Sequence, residues 1–239
     1  MDPGLRACTS IVPDRPKPCD GVPVDVGPPP IPPGGDGPVD AAAAGGPRPR
    51  KHVRTLRESI DPEVLAIVAE WFGGSAPVWQ DDEWACYDAE TDGILITGEP
   101  GAVSVFFTLH QGDRGGGPDV VCTDPADALR YALFTAGVRF RQRHLYGRLL
   151  VPFSPALARA GFTAAPLNGF GATLTVDGGE DPASERRLSF RMGGEATEAT
   201  FYLGAGFSDL MDSMRAPGGQ PLFGDVRQVP ATSLERARP

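Results

Sequence analysis

The fold is decided by residues 124–153, which read DPADALRYALFTAGVRFRQRHLYGRLLVPF. Asp124 can accept a hydrogen bond from a free N–H group of a first helical turn, and Pro125 has no N–H to leave unpaired. Apolar residues then recur at helical spacing. This stripe consists of Leu129, Leu133, Ala136 and Phe140. The pattern predicts a central helix whose apolar stripe packs on a sheet.

Four arginines of the same segment lie mostly off the stripe, namely Arg130, Arg139, Arg141 and Arg143. Several of them stand near the predicted C-terminal end of the helix, where the helix dipole favours positive charge. The helix carries no constellation of reactive side chains. The segment therefore predicts a fold and leaves the function open.

Residues 1–52 differ in composition from the rest of the chain, with thirteen of the 26 prolines and eight of the 31 glycines. Such a segment cannot bury enough apolar surface to offset its ordering entropy, so we expect a disordered arm. The arm fits a Pro-rich ligand, a secretion tag, a plain linker, or translated sequence upstream of the true start. We expect one domain over residues 60–223 and a loose polar tail over 224–239.

Within this domain, Asp61 and Pro62 predict a helix that ends at Gly73-Gly74, and apolar spacing from Phe207 to Met214 predicts a closing helix. Short runs of strand character fill most of the remainder. They are Ala76–Gln80, Trp84–Ala89, Gly93–Gly98, Ala102–His110, Asp119–Cys122, Leu149–Phe153, Ala172–Asp177, Arg187–Met192 and Thr200–Leu203. Strand following strand predicts an α+β fold: an antiparallel meander sheet with a central helix and two flanking helices.

The formal net charge of −9 lies entirely outside the arm, which carries six basic and six acidic residues against 16 and 25 in the remainder. An acidic domain without a basic stripe argues against nucleic acid and anionic membranes as partners. The acidity suits either solubility or a basic protein partner. No apolar run is long enough to cross a membrane and no signal peptide is evident, so we expect a cytoplasmic protein. Its cysteines lack a C-x-x-C pair, which favours free thiols.

Motifs for catalysis, metals and cofactors are missing from the sequence. The three histidines lie far apart, and neither a G-x-S-x-G elbow nor a P-loop occurs. The stretch from Gly204 to Asp209 imitates the start of a dinucleotide fingerprint, but Asp209 replaces its third glycine. We therefore predict no catalytic, metal or cofactor residues and no small-molecule substrate. One enzyme alternative remains, a site on His110 beside the loop Gly115-Gly116-Gly117.

An acidic triplet, Asp81-Asp82-Glu83, separates two strand-like runs and predicts a hairpin turn. Trp79 and Trp84 flank the triplet and can meet across the hairpin, either in the core or as an interface hot spot. A solvated turn is the simple interpretation of the carboxylates, and steering of a basic partner is the other. We predict that Asp81, Asp82, Glu83 and Trp84 belong to a partner-binding surface.

Two stretches resemble immunity protein family 61 of the bacterial polymorphic-toxin systems. The first is RYALFTAGVRFRQRHLYGRLLVPF at residues 130–153, with an aromatic-Leu-Phe core followed by a glycine and an arginine. The second is FSDLMDSMRAPGGQPLF at residues 207–223, with a Ser-x-Leu-x-x-Ser core and a glycine turn before Pro-Leu-Phe. The resemblance implies a protein without catalytic residues or cofactors that binds and neutralises a cognate secreted toxin. A secretion chaperone or accessory subunit is the alternative.

Overall fold

The computed structural model describes residues 55–74, 76–88, 92–108, 117–167, 170–178 and 185–229. These residues form an eight-stranded antiparallel sheet with helices packed on one of its faces, together with a separate two-stranded ribbon. The predicted α+β class is confirmed. The arm of residues 1–52 lies outside the described residues.

Ten strands and five α-helices make up the described part of the chain. The strands are β1 Val78–Gln80, β2 Glu83–Tyr87, β3 Gly93–Glu99, β4 Ala102–Thr108, β5 Val120–Cys122, β6 Arg148–Leu150, β7 Phe162–Pro166, β8 Ala172–Val176, β9 Arg186–Phe190 and β10 Arg227–Val229. The helices are α1 Leu56–Ser59, α2 Pro62–Phe72, α3 Pro125–Arg143, α4 Gly193–Ala199 and α5 Phe207–Arg215, with a 3₁₀ turn at Pro155–Leu157.

The large sheet has the strand order β1-β2-β3-β4-β5-β9-β8-β7, so the first five strands follow chain order as a meander. Directly paired positions carry one row of core side chains across the sheet, each at most 2% exposed. This row is Trp84, Ile96, Val105, Val120 and Phe190. On the opposite face, Ser189 is exposed and Thr173 is half-buried, while Leu95 is buried. Among the described residues, helices therefore cover one face of this sheet.

Helix α3 begins as its sequence predicts and lies across the covered face. The Asp124 side chain accepts a hydrogen bond of 2.9 Å from the Ala126 N–H, and Pro125 occupies the first helical position. The predicted stripe is buried through its first three members, and its fourth, Phe140, packs its ring 5.1 Å from that of Trp71 in α2. Gly137 allows α5 to approach closely, because an added Cβ would stand 2.5 Å from Met214 Cγ.

The prediction of a strand at Thr200–Leu203 is wrong. These residues continue from α4 as consecutive turns, in which the Phe201 N–H donates to Glu198 O and the Tyr202 N–H donates to Ala199 O. All four residues of the segment are buried, so the apolar run reflects a turn enclosed by the core and not an alternating strand. Strand β7 and helix α4 were not expected, and β10 lies within the predicted loose tail and pairs with β6.

The arginines of α3 bind neighbouring segments of the chain. Arg143 donates to the carbonyls of Glu70 and Trp71 at the end of α2, and Arg139 pairs with Asp88 and Asp92 in the β2–β3 connection. The sequence analysis attributed the positions of these arginines to the dipole of α3 itself. Their contacts instead connect α3 to other elements, because long guanidinium side chains reach acceptors across the helix layer.

Arg141 is the most deeply placed of these arginines, and its guanidinium is buried against the end of α5. Its Nη1 donates to Ala216 O at 2.6 Å, and its Nη2 donates to Pro217 O at 2.8 Å and Gly147 O at 3.0 Å. Carbonyls at a helix C-terminus lack intrahelical partners. Arg141 therefore satisfies acceptors of α5 and of the segment after it while joining both to α3.

We expect Arg141→Met to lower the free energy of unfolding by about 3 kcal/mol, since several buried carbonyls would lose their donor at once. Arg187→Met is the matched control, because that side chain is 66% exposed and makes one ion pair, with Glu185. The control should change stability by less than about 0.5 kcal/mol. Urea unfolding followed by circular dichroism measures both. Equal effects of the two substitutions would contradict the assigned role of Arg141.

Candidate functional site

Asp81 and Asp82 form a two-residue turn between β1 and β2, as the acidic triplet predicts. Gln80 and Glu83 pair directly on the two sides of this turn. Both aspartates are exposed, and Asp81 has φ 52°, a left-handed conformation that aspartate adopts more readily than most residues. The hairpin therefore carries two solvated carboxylates at its tip.

The other two predicted contact residues lie deeper. The Glu83 carboxylate accepts a hydrogen bond of 3.1 Å from the Thr97 hydroxyl of β3. Trp84 is only 1% exposed and belongs to the core row, directly opposite Trp79 of β1. Trp79 is half-buried beneath the Arg57 guanidinium, 5.5 Å from its ring centroid. Trp84 thus anchors the hairpin to the core, while the two aspartates are available to a partner.

The turn between β3 and β4 stands at the same end of the sheet as the acidic hairpin. Glu83 faces Thr97 across β2 and β3, which places the two turns side by side. Glu99 in the second turn is exposed. Among the described residues, no ion pair involves the carboxylates of Asp81, Asp82 or Glu99. This end of the sheet therefore presents three solvated negative charges.

Most arginines of the described chain donate to acceptors within the chain. The arginines that donate to a carboxylate or a backbone carbonyl are Arg130, Arg139, Arg141, Arg143, Arg159, Arg186, Arg187 and Arg191. Outside the arm, 25 acidic residues exceed 16 basic ones, so the domain carries a net negative charge after these pairs form.

The other chemical candidates of the sequence gain little from the structure. His110, Gly115 and Gly116 lie outside the described residues, so the enzyme alternative stays untested. His144 is exposed at the end of α3, where its Nδ1 lies 2.9 Å from Phe140 O. Within the described ranges, no three His, Cys, Asp or Glu side chains come together as a metal site.

Cys86 in β2 and Cys122 in β5 are both buried. Burial raises the pKa of the Cys86 thiol to about 11, with a smaller contribution from Asp88. Burial also raises the pKa of Cys122, and the nearby carboxylates of Asp127 and Asp124 add to it. Both thiols therefore stay protonated at neutral pH, which makes them poor nucleophiles.

A second polar group, which sequence reasoning missed, lies along α4. The pKa of Glu195 is raised to about 7, mainly by burial and also by Asp119, against the lowering effect of Arg191. The pKa of Glu198 is likewise raised to about 7, mainly by burial and also by Glu195, while Arg148 lowers it. The available signal was the spacing of the two glutamates, three apart in an Ala-rich stretch, which places them on one side of a helix.

None of the described helices combines the length and the apolar character that a membrane crossing requires. By sequence, no curated protein matches this chain. By structure, the domain is similar to Rv3902c from M. tuberculosis, with a TM-score of 0.56 and 14% sequence identity over 71% of this chain and 97% of that chain. At this level of identity the likeness concerns the fold alone.

The sequence model of the immunity protein 61 family matches residues 102–222, which run from the start of β4 to the turn after α5. Both stretches that carry the sequence resemblance fall almost wholly within this match. The matched segment includes α3 with its arginines, the α4 glutamates and five strands of the large sheet, β4, β5, β7, β8 and β9, whereas the acidic hairpin precedes it. Because the match covers half of the 239 residues, this chain belongs to the immunity protein 61 family.

Proposed function

We propose that this chain is an immunity protein that binds a cognate secreted toxin domain in the cytoplasm of the producing cell. It neutralises the toxin by forming a stoichiometric complex and catalyses no reaction. Membership of the immunity protein 61 family is the observation that carries this proposal. The expected partner is a folded protein, and the proposal involves no nucleic acid, membrane or small-molecule substrate.

The charge of the domain supports a basic toxin as the partner. With a net charge of −9 and most described arginines bound internally, the surface attracts positively charged proteins. Such attraction raises association rates by roughly 10- to 1000-fold and weakens as salt is added. Rapid capture suits an inhibitor that must reach the toxin before the toxin acts on the cell.

We propose the tip of the acidic hairpin as the surface that contacts the basic toxin. Asp81 and Asp82 are exposed on a turn held by the buried Trp84, and Glu83 stands beside them at the start of β2. A rigid support limits the entropy that the carboxylates lose when they meet a partner. Glu99 on the neighbouring turn extends the acidic surface along the same end of the sheet.

The direct test uses the toxin domain encoded next to this chain. We expect cells that express this domain to die, and cells that also express the full chain to survive. The purified proteins should elute together as a one-to-one complex of two folded partners, and a toxin domain with its chemistry inactivated serves as the control for survival. Toxicity without rescue would contradict the proposal. Binding that requires an unfolded or isolated helical segment would indicate a chaperone.

Reversal of the hairpin charges tests the proposed contact surface. We expect Asp81→Lys with Asp82→Lys to lower the association rate for the toxin at least tenfold at low salt and to flatten its salt dependence. The fold should stay intact, because both side chains are exposed. The unfolding midpoint should fall by no more than a few degrees, since only the left-handed φ of Asp81 disfavours lysine. Stopped-flow mixing over a range of ionic strength measures the rate.

The matched control for this experiment is Glu70→Lys with Asp212→Lys. It makes the same change in net charge at exposed positions late in α2 and α5, where a helix dipole tolerates lysine. A general effect of net charge would slow both double variants alike. A contact at the hairpin requires a clearly larger effect of the substitutions at Asp81 and Asp82.

A further inference from the structure

Four large apolar side chains are exposed together around the first turn of α4. They are Phe153, Leu167, Phe170 and Met192, and we call this group the α4 patch. Phe170 is 87% exposed, and Phe153 and Met192 are about half exposed. Single exposed apolar residues are common, but a contiguous group of them marks a contact surface on a protein.

Backbone and side-chain contacts bring these four residues to one place. Phe153 packs over the first turn of α4, where a Cβ added at Gly194 would stand 2.6 Å from its ring. The Phe170 carbonyl accepts a hydrogen bond of 2.6 Å from the Gly193 N–H, and Met192 directly precedes that glycine. Leu167 closes the β7–β8 connection through a 2.9 Å bond from its N–H to Gly171 O.

Behind the patch lies a buried polar cluster with unmet hydrogen-bonding capacity. Oε2 of Glu195 and the hydroxyl of Tyr202 are buried, and neither has a hydrogen-bond partner among the described residues. Tyr202 is 0% exposed. Burial raises the pKa of its hydroxyl, and the nearby charges of Glu198 and Glu195 raise it further. Buried polar groups of this kind are uncommon unless a ligand or partner completes them.

Among the described residues, the charges of the cluster do not balance. The groups that interact with the two glutamates are Asp119, Arg191, Arg148, Tyr131 and Tyr202. Three carboxyl groups thus face two guanidinium groups, and Arg191 is already paired with Asp119. Burial without sufficient cations keeps the pKa of Glu195 and Glu198 at about 7. One additional cation would satisfy both carboxylates.

We propose that the α4 patch and the glutamates behind it bind an arginine side chain of the toxin domain. A guanidinium group donates from several N–H groups to Glu195 and Glu198, and its planar faces stack on aromatic rings such as Phe153 and Phe170. Glu195 is half-exposed as a residue, so a rotation of its side chain brings its carboxylate to the surface. This inference rests on the proposed function.

The location separates this surface from the acidic hairpin. The patch lies at the ends of β9 and β7 and the start of β8, whereas the hairpin joins β1 and β2 at the far side of the strand order. The patch also falls within the residues that match the family. Exposed apolar anchors around a charged centre resemble interface hot spots, which chiefly slow dissociation, while solvated charge chiefly speeds association.

The test measures binding of the purified toxin domain to the full chain and its variants by surface plasmon resonance. We expect Phe170→Ser to raise the dissociation rate at least tenfold while leaving the unfolding midpoint unchanged, because that side chain is exposed. Val78→Ser is the matched control, since Val78 is also exposed and apolar but lies on β1. The control should alter the dissociation rate less than twofold.

The arginine assignment is tested by pH. Binding of a cation requires ionised glutamates, so the wild-type affinity should rise between pH 6 and pH 8, as protons leave groups with pKa about 7. Glu195→Gln with Glu198→Gln should lower affinity at pH 8 at least tenfold and remove most of this rise. Phe170→Ser could lose affinity while the glutamine variant keeps the pH profile of the wild type. That result would overturn the arginine assignment.

The outcomes also separate this inference from the proposed function. Wild-type protein that neither binds nor neutralises the toxin contradicts the proposed function itself. Wild-type protein that binds, with every patch and glutamate variant within twofold of it, contradicts only the inference. Phe170→Ser keeps the test decisive even if the glutamine variant fails to fold.

Discussion

The guanidinium groups of α3 hold the helix layer together. Arg141 supplies donors to the carbonyls that end α5, Arg143 does the same for α2, and Arg139 pairs with the carboxylates of the β2–β3 connection. Folding removes these acceptors from water, and each bond from an arginine replaces a hydrogen bond that the acceptor made with water. Helix α3 is therefore both the apolar cover of the sheet and the donor for the segments around it. The same helix fixes the positions of its neighbours relative to the sheet.

This use of arginine also shapes the outside of the domain. Positive side chains turned toward internal acceptors leave the carboxylates to dominate the surface, and the sheet end with the acidic hairpin shows this most clearly. An inhibitor of a basic protein gains from such a field before any contact forms. Stability of the helix layer and attraction of a partner thus depend on the same distribution of charge.

The hairpin could be predicted from sequence because its determinants are local. Three acidic residues between two tryptophan-bearing runs specify a turn, and the side-chain alternation of a strand follows from its period of two residues. The sequence did not show that Trp84 faces the core while the adjacent aspartates are solvated, since that depends on which face α3 covers. The α4 cluster was missed for a related reason: Glu195 and Glu198 resemble ordinary surface glutamates until Tyr202 and Tyr131 enclose them.

The sequence by itself determined both ends of α2, the start of α3, the first five strands and the α+β class. These features follow from caps, glycines and periodicity within a few residues of each other. The tertiary structure decided the place of β9 beside β5, the turns at Thr200–Leu203 and the partners of the α3 arginines. These depend on contacts between residues dozens of positions apart. A buried acceptor or charge is completed by whichever donor the fold brings to it, and no local pattern specifies that donor.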